Sequence, residues 1–192
     1  MEKFLQDYAA RVRGCLERLP WRELERLVEV LARAIREGRR IFVFGNGACA
    51  AASSHFACDL AKGLAGEGIP RVKAMCLNDC VPLMTAWSND VGYEVVFKEQ
   101  LVNYLEPGDV VIGLSASGNS PNVVNAVEYA VQAGGVAVAL VGMGGGKLAS
   151  LAKHVINISQ DSYEEVEDVI VVVTHMLKMA LKRRLKPESP AG

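Results

Sequence analysis

The sequence lacks the features that mark membrane proteins and nucleic-acid-binding proteins. Its 192 residues contain no apolar run near the roughly 20 residues that a membrane-spanning helix needs. Lysine and arginine number 21 against 22 aspartates and glutamates, so the net charge of -1 provides no basic field for nucleic acid or an anionic membrane. Residues 1–14 mix both charge signs from the second residue on, unlike a signal peptide. We therefore expect no direct nucleic-acid partner and no membrane association.

Cysteine is scarce and unpatterned, and two nucleotide-binding motifs are absent. The 5 cysteines form no CxxC pair, and an odd number in a chain of this size is unlike a disulfide framework or a zinc ribbon. Neither the P-loop pattern GxxxxGK nor the dinucleotide pattern GxGxxG occurs, so no nucleotide cofactor is expected. These absences predict a soluble, reduced, cytoplasmic protein.

The composition favours one folded domain. Hydrophobic residues make up 51% of the chain and charged residues 22%, which excludes a disordered chain. A chain of 20.7 kDa buries about 70% of its unfolded surface, enough for one full domain. We predict a single domain over residues 1–186 and a polar tail over residues 187–192, which contains two prolines.

Five short apolar runs alternate with segments of helical periodicity. Each run is mostly continuous in apolar character, which is typical of strands covered on both faces of a parallel sheet. The runs span residues 41–44, 72–77, 110–114, 136–141 and 155–158. Their alternation with helices predicts an α/β fold, a three-layer sandwich with a parallel sheet at its centre.

Helices are predicted at both ends of the chain. Residues 1–37 hold two amphipathic helices, the second stopped by Gly38. Residues 169–174 are six β-branched residues in succession, which favours a strand, yet Ser162 and Glu165 have the spacing of a capping box. We predict a helix with one side on its own sheet and the other on a partner subunit. Its inward face would consist of Val166, Val169, Ile170, Val173 and Leu177, with Val171, Val172 and His175 opposite.

Two glycine-containing loops each follow a predicted strand and precede a predicted helix. One is the hexapeptide GNGACA at residues 45–50, and the other is SASGNS at residues 115–120, with Ser120 as an N-cap and Pro121 at the first helical position. A helix N-terminus offers free N–H groups and a positive dipole end to an anion, and serine hydroxyls add uncharged donors. The loops predict a phosphate site. A plain strand–turn–helix connection is the alternative, because Ser, Gly and Asn are common there anyway.

His55 and Asp59 lie four residues apart on the helix after the first loop, so they share one face. A histidine and a carboxylate at that spacing can ligate one metal ion or serve as an acid/base pair. A buried histidine bonded to a nearby carboxylate is the alternative.

The segments around these residues resemble a known family. GNGACAAASSHFACDL is similar to the opening motif of sugar isomerase (SIS) domains, and SASGNSPNVVNAVEYA is similar to their phosphate loop. LNDCVPLMTAWSNDVGYEVVFKEQL, which lies between them, resembles the corresponding stretch of phosphoheptose (sedoheptulose 7-phosphate) isomerases. The resemblance implies a five-stranded flavodoxin-like sheet, a homotetramer in which the helices of residues 1–37 pack, and active sites built between subunits.

The resemblance also implies catalytic and metal-binding roles. Asp59 stands where the family has a glutamate that acts as the base, and it is about 1.5 Å shorter. His175 corresponds to the second catalytic residue. Glu167, where the family usually has glutamine, would complete a zinc site with His55, Asp59 and His175. Ideal helical spacing instead favours Asp168, which lies closer to the direction of His175.

Further positions are implied to contact a phosphorylated sugar. Cys49 replaces a serine that contacts phosphate, and at a helix N-terminus its thiol would have a lowered pKa and be an oxidation site, unless it is a small buried filler. The implied substrate-binding residues are Asn46, Gly47, Cys49, Ser88, Asn89, Asp90, Ser115, Ala116, Ser117, Gly118, Asn119, Ser120 and Glu167.

The implied reaction interconverts sedoheptulose 7-phosphate, a heptose 7-phosphate ketose, and D-glycero-D-manno-heptose 7-phosphate through an enediol. Asp59 and His175 would move the proton between C1 and C2, and zinc would polarise the carbonyl. One alternative is a non-catalytic SIS module, either a scaffold that binds a replication initiator or a phosphosugar sensor. Another is an isomerase of a different phosphosugar.

Overall fold

The computed structural model describes residues 1–66, 68–160 and 162–186, so the predicted tail over residues 187–192 lies outside the described residues. The described residues form five strands, β1 (Arg40–Gly45), β2 (Lys73–Cys76), β3 (Val110–Ser115), β4 (Val136–Val141) and β5 (His154–Asn157). They also form eight α-helices, α1 (Glu2–Glu17), α2 (Trp21–Arg36), α3 (Ala48–Ala61), α4 (Val81–Asp90), α5 (Lys98–Tyr104), α6 (Pro121–Gln132), α7 (Gly146–Leu151) and α8 (Tyr163–Leu185). Short 3-10 turns cover Tyr93–Val95 and Met143–Gly145.

The five strands make one sheet in the order β2-β1-β3-β4-β5, and every neighbouring pair is parallel. This is the flavodoxin-like order. Each predicted apolar run forms a strand whose ends differ from the prediction by no more than one residue. The predicted parallel sheet is therefore confirmed.

Helices cover both faces of the sheet. Because side chains alternate along a strand, Ile41 and Val43 of β1 point to one face and Phe42 and Phe44 to the other. The first pair joins a core built with α2, α3 and α8, and the second pair joins a core built with α5, α6 and α7. On that second face Phe44 stacks on Phe97, with ring centroids 4.9 Å apart. The three-layer sandwich is confirmed.

The predicted stop of α2 at Gly38 is confirmed in detail. Gly38 has a φ of +68°, a conformation that glycine adopts without strain. Its N–H donates to the carbonyl of Ile35, and the N–H of Arg39 donates to the carbonyl of Ala34. These two bonds form a Schellman motif, which satisfies carbonyls at the helix end.

The β-branched run is helical, as predicted, and lies within α8. The five residues of its predicted inward face are all buried, whereas Val171 opposite them is 36% exposed. Ser162 precedes the helix as its N-cap, but the capping box does not close: buried Glu165 instead accepts hydrogen bonds from Arg11 of α1, at 2.5 Å, and from Gln160. The carboxylate thus ties α8 to α1. Although α8 has 23 residues, no described helix is long and apolar enough to cross a membrane.

Candidate active site

The two predicted phosphate loops leave the sheet side by side. β1 and β3 are neighbours although β2 follows β1 in the sequence, and the register pairs Gly45 with Leu114. The chain therefore runs to opposite sides after β1 and β3, which is the topological switch point where open α/β sheets bind ligands. The sheet places the start of α3 and the start of α6 at the same edge.

The loop after β3 is held by bonds among its own polar groups. The hydroxyls of Ser115 and Ser120 lie 3.1 Å apart, the N–H of Asn119 donates to the hydroxyl of Ser117 at 3.2 Å, and the N–H of Gly118 donates to the carbonyl of Ser115. Ser120 is the N-cap of α6 and Pro121 is its first residue, as predicted, but the Ser120 side chain makes no capping bond. The loop gathers uncharged donors at a helix N-terminus, which suits a phosphate group.

A second glycine-rich segment, residues 142–147 with the sequence GMGGGK, packs against this loop. A Cβ atom on Gly118 would lie 2.0 Å from the carbonyl oxygen of Gly145, and one on Gly146 would lie 2.5 Å from the carbonyl oxygen of Ser117. The N–H of Lys147 donates to the Asn119 side chain at 3.0 Å. Sequence analysis did not single out this segment. Its four glycines in six residues, directly after a predicted strand, were the available signal.

The loop after β1 is close-packed at Gly45 and open at Gly47. A Cβ atom on Gly45 would lie 2.7 Å from that of Cys49, whereas Gly47, the N-cap of α3, has a φ of +56° and no neighbour within 4 Å of an added Cβ. The Cys49 thiol is buried, at 3% exposure, and burial raises its pKa to about 11 despite a backbone hydrogen bond from Ala116. The prediction of a lowered pKa and an oxidation site was wrong, because loss of hydration outweighs the helix end. Cys49 is the small buried filler that was the alternative.

Asn46, in the loop after β1, belongs to a hydrogen-bonded group that the sequence analysis missed. Asn46 and Asn122 exchange two side-chain amide hydrogen bonds, each of 2.9 Å, and the Tyr93 hydroxyl donates to Asn46 Oδ1 at 2.9 Å. Asn122 is 1% exposed. Asn122 lies two residues after Ser120, the last residue of the loop motif, and this position was the available sequence signal.

The predicted acid–base residues meet on two packed helices. His55 and Asp59 of α3 and His175 of α8 bring their ligand atoms within 4.8 Å of one another. The two Nε2 atoms lie 2.8 Å apart, and Asp59 Oδ2 lies 3.8 Å from that of His55 and 3.7 Å from that of His175. Both histidines are about half exposed. The carboxylate and the imidazole expected from separate helices therefore converge.

The geometry of these three residues, hereafter the His55–Asp59–His175 cluster, fits a small metal ion. Zn²⁺ binds imidazole nitrogen and carboxylate oxygen at roughly 2.0–2.2 Å, so neighbouring ligands in a tetrahedral site lie about 3.3 Å apart. The three separations here, 2.8, 3.7 and 3.8 Å, fall on either side of that value. The donor set, two imidazoles and a carboxylate, is also one that zinc accepts.

Neither acidic residue considered as a fourth ligand belongs to the His55–Asp59–His175 cluster in the described structure. Asp168, favoured by helical spacing, accepts a hydrogen bond of 2.6 Å from Tyr8 and so packs against α1. Glu167 is on the Cys49 side of the site, where its charge helps to raise the pKa of that thiol. Burial, followed by the charges of Glu164 and Asp168, raises the pKa of Glu167 itself.

The candidate sugar-binding residues of α4 lie at the end of that helix. Asn89 donates to Asp90 at 2.8 Å, both residues are exposed, and Ser88 is partly buried. The chain then turns at Gly92 and delivers Tyr93 to Asn46. Tyr93 thus connects this segment to the loop after β1.

Comparison with known proteins identifies the class to which this architecture belongs. The SIS domain family matches residues 4–142. Phosphoheptose isomerase of Akkermansia muciniphila is 34% identical over 163 residues, 85% of this chain and 86% of that protein. A probable phosphoheptose isomerase of Thermoplasma volcanium is 34% identical over 173 residues, 90% of this chain and 88% of that protein.

A solved structure agrees with these relatives. Phosphoheptose isomerase of Neisseria gonorrhoeae superimposes with a TM-score of 0.87 at 26% identity, covering 95% of this chain and 98% of that one. The chain therefore belongs to the SIS domain family and, within it, to the phosphoheptose isomerases.

Proposed function

We propose that this chain is an aldose–ketose isomerase that interconverts sedoheptulose 7-phosphate and D-glycero-D-manno-heptose 7-phosphate. The observation that carries the proposal is the approach of Asp59 on α3 to His175 on α8, at 3.7 Å, in a chain whose relatives are named phosphoheptose isomerases. These relatives favour an enzyme over a scaffold or a sensor.

The loop after β3 holds the phosphate in this proposal. The hydroxyls of Ser115, Ser117 and Ser120 and the backbone near Gly118 surround the N-terminus of α6, which contributes free N–H groups and a positive dipole end. Because these donors carry no charge, the loop binds a dianion without a buried ion pair, and the product can dissociate after turnover. Cys49, Ala116 and Asn119 shape the loop and its neighbouring helix.

When no metal is bound, Asp59 and His175 move the protons. The Asp59 carboxylate takes the proton from C1 of the ketose and returns it to C2 of the enediol, while His175 gives a proton to O2 and takes one from O1. Both side chains end the cycle as they began it. His55 Nε2 lies 2.8 Å from His175 Nε2, so one of the two rings donates this hydrogen bond and the other accepts it.

A zinc ion would bind to His55, Asp59 and His175, with Glu167 as the fourth ligand implied by the family resemblance. When bound, zinc would polarise the sugar carbonyl and stabilise the charge that develops on its oxygen. Support comes from the His55–Asp59–His175 cluster itself, whose ligand atoms all lie within 4.8 Å of one another and are of types that zinc binds.

The remaining contacts and the assembly complete the proposal. Asn46, Gly47, Ser88, Asn89 and Asp90 contact the hydroxyls of the open sugar chain. Residues 1–186 act as one cytoplasmic domain whose helices over residues 1–37 pack in a homotetramer. Exposed Phe4 and Leu5 of α1 and Trp21 of α2 support that packing, because burying them in an interface removes apolar surface from water. Light scattering at four chain masses would agree with a tetramer, and a monomer would contradict it.

The experiment follows the sugar by NMR. Purified protein is mixed with sedoheptulose 7-phosphate, with and without zinc, and the aldose product is measured. Asp59→Asn and His175→Ala should each lower the rate about 10²- to 10⁴-fold. Matched controls are Asp7→Asn, on the exposed surface of α1, and His154→Ala, at the start of β5 and therefore at the opposite edge of the sheet.

Each outcome discriminates between functions. Loss of turnover in the two site variants but not in their controls supports the assignment. A wild-type chain that binds the heptulose phosphate and never converts it is a sensor or scaffold, and the enzymatic proposal fails. Conversion of a pentose or hexose phosphate in its place would support isomerase activity and contradict a heptose phosphate as the substrate.

A further inference from the structure

The Asn46–Asn122–Tyr93 group has only one self-consistent pattern of donors and acceptors. The N–H of Val123 is a donor and bonds Asn122 Oδ1 at 3.0 Å, which fixes that oxygen as the acceptor end of the buried amide. The Asn122 nitrogen therefore faces Asn46 Oδ1 and donates to it. The Asn46 nitrogen in turn donates to Asn122 Oδ1, and the Tyr93 hydroxyl donates to Asn46 Oδ1, so one backbone N–H and one hydroxyl together hold the two amides in this orientation.

This pattern leaves one hydrogen of Asn46 for a ligand. Asn46 Oδ1 accepts from both Asn122 and Tyr93, and a carbonyl oxygen has two lone pairs, so its accepting capacity is filled. Asn46 Nδ2 has two hydrogens, and Asn122 is its single acceptor among the described residues. The second hydrogen of Asn46 Nδ2 is therefore available to a ligand at the carboxyl edge of the sheet, where Asn46 follows β1.

We infer that Asn122 and Tyr93 are positioning residues that hold Asn46 as a hydrogen-bond donor toward an oxygen of the bound sugar. The inference rests on the proposed function and adds to it that Asn46 is the donor in its contact with the sugar. An amide free to flip would present its carbonyl half of the time, and in that orientation it cannot donate to the same oxygen. The group also connects the loop after β1, the start of α6 and the turn at Tyr93, so the donor is fixed relative to the phosphate loop.

Steady-state kinetics test whether Tyr93 acts through Asn46. Tyr93→Phe removes one hydrogen bond from a residue that is 49% exposed, so the fold is kept. We expect the KM for sedoheptulose 7-phosphate to rise about three- to tenfold while kcat changes less than twofold and the unfolding temperature is unchanged. In the Asn46→Ala background the same substitution should add nothing. Tyr104→Phe, on the exposed end of α5, is the matched control.

A second readout does not depend on turnover. In ¹⁵N-labelled protein the Asn46 side-chain amide is identified by the loss of its signals in Asn46→Ala. Tyr93→Phe should shift these signals, Tyr104→Phe should not, and Asn122→Ala should shift them most if that variant folds. Unchanged Asn46 signals in Tyr93→Phe would overturn the inference, as would a KM effect that persists in the Asn46→Ala background. If the wild-type chain converts no sugar, the proposed function fails, and the amide signals alone decide the positioning role.

Discussion

The proposed phosphate loop after β3 and the His55–Asp59–His175 cluster are built by opposite means. The loop is fixed by bonds within itself, Ser115 to Ser120 and Ser117 to Asn119, and by the close approach of Gly118 to the backbone of Gly145. The cluster depends on the packing of α3 against α8, which brings together residues 120 positions apart in the sequence. Its imidazoles are half exposed, and they meet edge to face with their Nε2 atoms 2.8 Å apart.

The difference indicates separate demands on the two regions. A phosphate is the same in every phosphosugar, so a rigid backbone cradle serves it well. Proton transfer at a reacting carbon needs side chains that change protonation. Such side chains must be exposed enough to contact a ligand or an ion, as the two half-exposed imidazoles are. The regions should therefore respond differently to steric substitutions, to metal and to pH.

The largest expected effect is steric and confined to the loop. Gly118→Ala would place a Cβ atom 2.0 Å from the Gly145 carbonyl at a φ of +65°, so we expect about 3 kcal/mol of destabilisation. Gly144→Ala has a similar φ, +77°, with open space around its Cβ, and should cost only about 1 kcal/mol. Urea unfolding measures both. Equal costs would show that the contact with Gly145 does not constrain the loop.

The second effect belongs to the His55–Asp59–His175 cluster. Zinc at ten times its dissociation constant should raise the free energy of unfolding by about 1.4 kcal/mol, because the ion binds only the folded arrangement. His55→Ala and His175→Ala should abolish the rise, and His154→Ala should keep it. Thermal unfolding across a zinc titration is the measurement. A zinc response that survives in both cluster variants would place the ion elsewhere.

Sequence reasoning predicted the fold well because the determinants are periodic and local. Continuous apolar runs marked all five strands, and Gly38, Ser120 and Pro121 marked helix ends. The helix over the β-branched run was also anticipated, from the residues that it would bury. These features depend on propensity and burial, which the sequence carries directly.

The contacts that could not be predicted from the sequence are those that form only through tertiary packing. No local sequence pattern predicts that the Glu165 carboxylate accepts a hydrogen bond from Arg11 instead of capping its own helix. Nor does any local pattern predict that the Tyr93 hydroxyl donates to Asn46, 47 positions away in the sequence. The Cys49 thiol was misjudged because a helix N-terminus suggested stabilisation of the thiolate, whereas the structure buries it. Asp59 and His175 were singled out with the help of the family resemblance, since their proximity has no periodic signal.

An effect of similar size comes from the buried Cys49 thiol and appears as a pH dependence of stability. The pKa of Cys49 is about 11 in the folded chain against 9.0 for a free thiol, so the folded state keeps a proton that the unfolded state loses. Stability from this group is complete below pH 9 and falls as the pH rises toward 11, by on the order of 1.4 kcal/mol at pH 10. Urea unfolding of wild type and Cys49→Ser at pH 8 and pH 10 measures the difference. Parallel losses in the two proteins would mean that this thiol is not responsible.

The smallest effect separates binding from catalysis in the loop itself. Ser117→Ala deletes one uncharged donor and should weaken phosphosugar binding about fivefold, roughly 1 kcal/mol, while kcat stays within twofold. Because Ser117 also accepts the Asn119 N–H, Ser117→Thr keeps the hydroxyl and serves as the conservative control. Isothermal titration with sedoheptulose 7-phosphate and with inorganic phosphate separates the sugar from the phosphate contribution, and both affinities should fall by the same factor. If both affinities were unchanged, the phosphate would have to be held by other parts of the carboxyl edge, and the contrast between a rigid anion cradle and a reactive cluster would no longer hold.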